Sequence, residues 1–141
     1  MTQDSFRVLL VDDEPADIEL TRMALSHAPI PCQVMTAANG REALGLLQRE
    51  RSEGKRIPDL ILLDLNMPQM NGYDVLKAMK EDGGLSSIPV VVLTTSCATE
   101  DVKDVYRMGA SGFITKPSDV DDLFRFMHAV LEYWGNTVRR P

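Results

Sequence analysis

Five polar side chains of reactive type stand at the ends of short apolar segments of the sequence. They are a pair of aspartates, a third aspartate, a threonine and a lysine: Asp12, Asp13, Asp64, Thr94 and Lys116. Three carboxylates held together repel one another, and they need a cation to stay ionised. Mg²⁺ suits them because it is a hard ion that prefers oxygen ligands and keeps several of its waters. The set therefore predicts a magnesium site.

The same residues could carry out phosphoryl transfer. An ionised Asp64 can attack a phosphoryl group in line and form an acyl phosphate. Positioning and neutralisation of the spread charge matter most in this chemistry. Mg²⁺ would neutralise one phosphoryl oxygen and Lys116 a second, and the Thr94 hydroxyl could donate to the third. No Gly-rich phosphate loop is present in the sequence, which argues against ATP as the direct donor.

Each of these residues alone is a weak signal. An aspartate pair more often marks a turn at the end of a strand, and a lysine after a strand is usually a solvated surface residue. The set is more informative because its members occur, in order, at the ends of successive predicted strands. We therefore favour the functional interpretation of the set.

The apolar segments that precede these residues predict strands that alternate with helices. The predicted strands are 6–11, 32–37, 59–64, 90–93 and 112–115. Such alternation predicts a parallel sheet covered on both faces, which is a three-layer α/β domain. In open sheets of this kind ligands bind at the carboxyl ends of the strands. We therefore expect Asp12 and Asp64 to lie side by side.

Length and composition predict one acidic globular domain. The chain has 141 residues, with 15 Lys and Arg against 21 Asp and Glu, so its formal net charge is −6. This charge argues against direct binding to nucleic acid or to anionic lipid. No apolar segment approaches the ~20 residues that span a membrane, and the N-terminus does not resemble a signal peptide. We expect a cytoplasmic protein with one domain over 1–141, a core over about 6–134 and a tail over 135–141.

Four segments resemble the successive landmarks of response-regulator receiver domains. They are LLVDDEPAD, LILLDLNMPQMNGYDVL, IPVVVLTTS and GFITKP, spread over about residues 6–134. The resemblance implies a flavodoxin-like, doubly wound sheet of five parallel strands in the order 2-1-3-4-5, with five helices. It also implies a stand-alone response regulator that accepts a phosphoryl group from a histidine kinase in a Mg²⁺-dependent reaction. Such a protein assists its own phosphorylation and dephosphorylation and is not otherwise an enzyme.

The resemblance assigns roles residue by residue around the acceptor. It makes Asp64 the phospho-acceptor, with Asp13 a direct Mg²⁺ ligand and Asp12 a ligand mainly through water. The backbone carbonyl of Asn66 would complete the metal site. Lys116 matches the phosphate-binding lysine of the family, and its bond to Pro117 matches one that is usually cis.

The resemblance also assigns the residues that respond to the phosphoryl group. Thr94 matches the switch hydroxyl, and Phe113 stands at the aromatic switch position. Asn66, Thr95 and Ser96 fall where the family tunes the lifetime of the phosphoryl group. The expected switch draws Thr94 inward on phosphorylation and lets Phe113 turn into the space that it vacates.

A narrower resemblance concerns the partners of the protein. The PAD segment at 15–17, DLNMP and an aromatic-rich last helix resemble the single-domain regulators paired with phytochrome-type histidine kinases. Only 24 residues follow Pro117, so output is expected through an unknown protein partner or altered self-association. The last helix has a broad apolar arc, extended by Phe126 and Tyr133. It is either a well-buried helix or, as we favour with the resemblance, the face of a homodimer.

Three other functions compete with this interpretation. An aspartyl-phosphate phosphatase generally has an Asp two residues after its nucleophile, where this sequence has Asn66. A flavodoxin-like cofactor binder needs a phosphate loop after its first strand, where this sequence has an acidic pair. A degenerate receiver would lack part of the residue set, which is complete here. The two histidines, His27 and His128, have no supporting motif and are interpreted as surface residues.

Overall fold

Short apolar and β-branched segments form the strands of a single sheet. In the computed structural model, which describes residues 6–65, 72–94, 99–117 and 119–137, the strands are β1 (Phe6–Val11), β2 (Cys32–Ala37), β3 (Leu60–Asp64), β4 (Val90–Thr94) and β5 (Gly112–Thr115). All four pairings are parallel and the strand order is β2-β1-β3-β4-β5. The predicted fold class and strand order are confirmed.

Four helices connect the strands, and a fifth follows β5. They are α1 (Pro15–Ser26), α2 (Gly40–Ser52), α3 (Gly72–Glu81), α4 (Thr99–Arg107) and α5 (Val120–Leu131). Pro15 lies in the first turn of α1, where its fixed φ suits the helix and its missing N–H is not needed. Side-chain caps begin two other helices: Asn39 accepts from the backbone N–H of Glu42, and Asp119 from that of Asp121.

The central strands are buried on both faces, which explains their nearly continuous apolar sequences. Leu9, Ile61 and Val92 belong to one core cluster, shared with α2, α3 and α4. Their neighbours in the chain face the other way, into a second cluster shared with α1 and α5. The three-layer arrangement follows from this alternation.

The last helix differs from the sequence prediction at its end. The apolar arc of the sequence predicts that the last helix includes Tyr133, but α5 ends at Leu131 and the backbone continues as a π-helical segment over Glu132–Thr137. In that segment the rings of Tyr133 and Trp134 pack edge to face, with centroids 5.1 Å apart. Among the described residues no helix is both long enough and apolar enough to cross a membrane.

Candidate metal and phosphoryl site

Adjacent parallel strands bring three carboxylates together at the carboxyl edge of the sheet. Val11 pairs with Leu63 in the β1–β3 register, so the residues that follow, Asp12 and Asp64, are neighbours. Oxygens of Asp12, Asp13 and Asp64 all lie within 4.8 Å of one another. The sequence prediction that these residues meet is confirmed.

The environment of the cluster fits a hard divalent cation. Asp12 and Asp64 are buried and Asp13 is exposed, so protein oxygens lie on one side and solvent on the other. The Asp12 Oδ1 atom accepts a hydrogen bond from the backbone N–H of Glu14 at 3.0 Å, which fixes the orientation of this carboxylate. A cation that keeps some of its waters suits such a half-open set of oxygens.

Lys116 compensates part of the negative charge. Its Nζ atom lies 2.8 Å from Asp12 Oδ2 and 3.6 Å from Asp64 Oδ2, and its side chain is only 17% exposed. Burial alone would lower the pKa of Lys116, but the hydrogen bond to Asp12 and the nearby negative charges outweigh it. The pKa of Lys116 is raised to about 12. The lysine is therefore a fixed positive charge beside the proposed acceptor.

Two residues that the sequence analysis did not place in the site also belong to it. Asp17, in the first turn of α1, accepts a hydrogen bond from Lys116 Nζ at 3.1 Å. In the sequence, Asp17 stands out only as part of the PAD segment at 15–17, which indicates the narrower resemblance to regulators paired with phytochrome-type histidine kinases. Gly72, at the start of α3, donates its backbone N–H to the Leu65 carbonyl at 3.0 Å and packs directly on the end of β3.

Several predicted site residues lie partly or wholly outside the described residues. Asn66, Thr95 and Ser96 are outside them. The backbone of Thr94 ends β4 as predicted and pairs with Thr115, and nothing is described of its side chain. The roles assigned to Asn66, Thr94, Thr95 and Ser96 stay predictions.

Phe113 lies on β5, paired with Val92 in β4. It is half-buried and packs against the core cluster on the α2, α3 and α4 side of the sheet. The position fits a side chain that could respond to changes at the end of β4, and its switching role stays a prediction.

The expected cis bond between Lys116 and Pro117 is wrong for this structure, which has no cis peptide among the described residues. The sequence allows either form, because an X–Pro bond favours trans by only ~0.5–1 kcal/mol and local packing decides between them.

The two histidines differ. His27 is exposed, as predicted; its Nδ1 lies 2.9 Å from the Met23 carbonyl. His128 is half-buried, and its buried Nε2 has no partner among the described residues, so its interpretation as a surface residue is wrong. The apolar arc of α5 is wide enough to draw this flank of the helix towards the core.

The two candidate dimer residues also differ: Phe126 is half-buried against the α1–α5 core cluster, whereas Tyr133 is 54% exposed.

A doubly wound parallel sheet with a carboxylate cluster and a lysine at its carboxyl edge defines the receiver class of signalling domains. The family model of the response regulator receiver domain matches residues 8–128, and the chain belongs to this family. It is a response regulator, a signalling protein with a divalent-metal site in its acidic pocket.

Three relatives show how similar this chain is to characterised proteins. It is 36% identical to response regulator Rcp1 of Synechocystis sp., over 95% of this chain and 92% of that one. It is 33% identical to a probable methanogenesis regulatory protein, FilR2, of Methanothrix harundinacea, over 99% of this chain and 90% of that one. The crystal structure of the phosphorylated cyanobacterial phytochrome response regulator RcpA superposes with a TM-score of 0.89 at 38% identity, covering 97% of this chain and 99% of that one. A crystal structure of Rcp1 in its Mn²⁺-bound form also superposes on this chain, with a TM-score of 0.86 at 36% identity. The match covers 96% of this chain and 99% of that one.

Proposed function

We propose that Asp64 accepts a phosphoryl group from a phosphohistidine of a histidine kinase, in a Mg²⁺-dependent reaction. The observation that carries this proposal is the convergence of Asp12, Asp13 and Asp64 within 4.8 Å, with the Lys116 ammonium 3.6 Å from the acceptor carboxylate. The exchange would take place in the cytoplasm, where ATP-dependent kinases form phosphohistidine.

In the proposed reaction a carboxylate oxygen of Asp64 attacks phosphorus in line. An O–P bond forms as the N–P bond to the donor imidazole breaks, and the imidazole leaves with the electron pair and takes up a proton. Lys116 neutralises one phosphoryl oxygen as charge spreads over the transferring group. Asp13, Asp64 and the Asn66 carbonyl would hold Mg²⁺, with Asp12 contributing through water, and the ion would supply a second centre of positive charge.

The same site would also remove the phosphoryl group by hydrolysis. Water attack on the acyl phosphate releases inorganic phosphate and restores the Asp64 carboxylate. We assign Asn66, Thr95 and Ser96 to the control of this step because they flank the acceptor and the switch threonine in the sequence. This activity would act only on the protein's own phosphoryl group.

Phosphorylation would bias an existing two-state equilibrium of the domain. The Thr94 hydroxyl would move towards the phosphoryl oxygen, and Phe113 would turn inward beside it. Val92 lies two residues before Thr94 in β4 and pairs with Phe113 in β5. This pairing supports a short path between Thr94 and Phe113. In Thr94→Ala, Asp64 should still be phosphorylated, but the NMR shifts of Phe113 should respond much less; a full response would contradict this coupling.

We propose a phytochrome-type histidine kinase as the phosphoryl donor. The support is the similarity to RcpA, a phytochrome response regulator, over 97% of this chain. Because FilR2 is also similar over nearly the whole chain, a test has to include kinases of other classes. The expected result is a faster transfer from phytochrome kinases than from the others, measured with the same concentration of phosphorylated kinase.

We further propose that output passes through a homodimer or a separate downstream protein. The exposed Tyr133 ring, in the π-helical segment that follows α5, supports a dimer face at this end of the domain, to which the solvent-facing part of the half-buried Phe126 would contribute. Tyr133→Ser should shift sedimentation towards the monomer, whereas Tyr106→Ser, which changes an exposed tyrosine on α4, should not. A wild-type monomer at tens of micromolar, with and without a phosphoryl mimic, would contradict the dimer.

Incubation with acetyl phosphate or phosphoramidate and Mg²⁺, followed by intact mass spectrometry, tests the acceptor chemistry. We expect one added phosphoryl group in wild type, none in Asp64→Asn, and none in the presence of EDTA. Asp104→Asn, which changes an exposed aspartate on α4, is the matched control and should be phosphorylated as wild type is. If wild type is not modified by small donors or by a panel of autophosphorylated histidine kinases, the proposed function is wrong.

A further inference from the structure

The hydrogen bonds of Lys116 are shared unequally among three carboxylates. An ammonium group has three N–H donors. Two of them donate hydrogen bonds, to Asp12 at 2.8 Å and to Asp17 at 3.1 Å. The distance to Asp64 is 3.6 Å, which is beyond hydrogen-bonding range, so this third interaction is one of charge alone. In the unphosphorylated protein the ammonium is thus held on the α1 side of the acceptor.

We propose that Asp17 is a positioning residue that holds Lys116 on the α1 side in the resting state, and that this contact weakens when Asp64 carries a phosphoryl group. The inference rests on the proposed function, because it concerns the lysine that would neutralise the phosphoryl oxygen. Asp17 thereby opposes phosphorylation: one N–H donor of Lys116 stays available, but the contact with Asp17 holds the ammonium on the α1 side, and moving it towards a phosphoryl oxygen weakens that contact.

Asp17 is the partner that Lys116 can lose at the smaller cost. The Asp12 side chain is 3% exposed and is oriented by the backbone N–H of Glu14. The Asp17 side chain is 44% exposed, so water can replace the ammonium as its partner. Removing Lys116 from the buried Asp12 would instead leave a carboxylate without compensation, which is costly.

The surroundings leave room for this exchange. A cavity of about 270 Å³ between α1 and α5 is bordered by both Asp17 and Lys116. Its walls include the apolar side chains of Leu20, Leu93 and Met127, beside which the aliphatic part of Lys116 can move while its charged end changes partner. Neither side chain is locked by close packing on this side.

The direct test is the affinity for beryllofluoride, a phosphoryl mimic, measured by fluorine-19 NMR in the presence of Mg²⁺. Because a partly exposed ion pair contributes ~0.2–1 kcal/mol, Asp17→Asn should bind the mimic about 1.4- to fivefold more tightly. Glu14→Gln is the matched control: it removes the same charge from an exposed neighbour of the site that forms no ion pair among the described residues. Its affinity should stay close to that of wild type.

Weaker or unchanged binding in Asp17→Asn would overturn the inference. So would an equal gain in Glu14→Gln, because the effect would then be a general one of charge and not one of position.

A second measurement does not depend on phosphorylation. In the protein without beryllofluoride, the ammonium ¹H–¹⁵N NMR signal of Lys116 should be visible, because hydrogen bonds slow its exchange with water. It should shift and weaken in Asp17→Asn and stay unchanged in Glu14→Gln. An unchanged signal in Asp17→Asn would overturn the inference by itself. If wild type bound no mimic while this signal responded as expected, the proposed function would fail and the role of Asp17 in holding Lys116 would stand.

Discussion

The Nζ atom of Lys116 lies 2.8 Å from Oδ2 of Asp12, although 104 positions separate the two residues in the chain. The contact exists because the parallel topology brings the end of β1 and the segment after β5 to the same edge of the sheet. It joins a 17% exposed cation to a 3% exposed carboxylate, so neither group can exchange its partner for bulk water at low cost. The charge of Lys116 is therefore part of the folded structure as well as of the proposed chemistry.

We expect Lys116→Met to lower the free energy of unfolding by about 2–3 kcal/mol in EDTA, since charged hydrogen bonds of buried groups are lost. The pKa of Lys116 is raised from 10.5 to about 12, so its stabilising contribution is complete below pH 10.5 and disappears as the pH rises through about 12. The deficit should thus be constant across neutral pH. Urea unfolding measures it.

Lys55→Met is the control for that change, because Lys55 forms an exposed ion pair with Glu53. Its loss should alter stability by less than ~0.5 kcal/mol. Equal effects of the two substitutions would contradict a structural role for Lys116.

Asp13→Asn should change stability in opposite directions with and without metal. In EDTA the substitution relieves repulsion within the carboxylate cluster, and we expect a gain of about 0.5–1 kcal/mol. With Mg²⁺ at a hundred times its Kd, wild type should gain ~2.7 kcal/mol and the variant much less. Thermal unfolding in both conditions should therefore rank the two proteins in opposite order.

Glu19→Gln removes the same charge from an exposed position of α1 outside the cluster. It should leave the Mg²⁺-dependent gain intact. A variant Asp13→Asn that responded to Mg²⁺ as wild type does would show that Asp13 is not a ligand.

The sequence predicted the carboxylate cluster because strand patterns and topology determine it. Asp12 and Asp64 follow nearly continuous apolar segments, and parallel pairing forces the ends of such segments together. Asp17 could not be predicted in the same way. It lies on a helix, where its contact with Lys116 depends on how α1 is placed against the sheet and on a side-chain rotamer, and neither leaves a periodic signal in the sequence. The burial of one flank of α5 at His128 was missed for the same reason.

Gly72 is a further residue whose role only the packing shows, and its substitution should be destabilising. A Cβ atom there would lie 2.8 Å from the Leu65 Cα and 3.0 Å from the Asp64 carbonyl oxygen, both backbone atoms that cannot give way easily. We expect Gly72→Ala to cost about 1–3 kcal/mol and to slow phosphorylation of the adjacent Asp64.

Gly45→Ala provides the matched control within α2. A Cβ atom at Gly45 would meet nothing within 4 Å, so alanine should stabilise the helix by about 0.5–1 kcal/mol. Urea unfolding of both variants measures the contrast, and a stabilising Gly72→Ala would contradict the close contact with β3.

Cys32 should be protected from alkylation in the folded protein. Its burial, and then the negative charge of Asp59, raise the pKa of this thiol from 9.0 to about 12. Since only the thiolate reacts, iodoacetamide at pH ~8 should modify Cys32 at least ~10-fold more slowly in native protein than in urea. The neutral thiol is compatible with the fold below pH 9.0, and stability should fall as the pH rises above this value towards 12. Peptide mapping after short pulses of reagent gives the rate at this residue alone. Equal rates in buffer and in urea would mean that Cys32 is not shielded at the edge of the sheet.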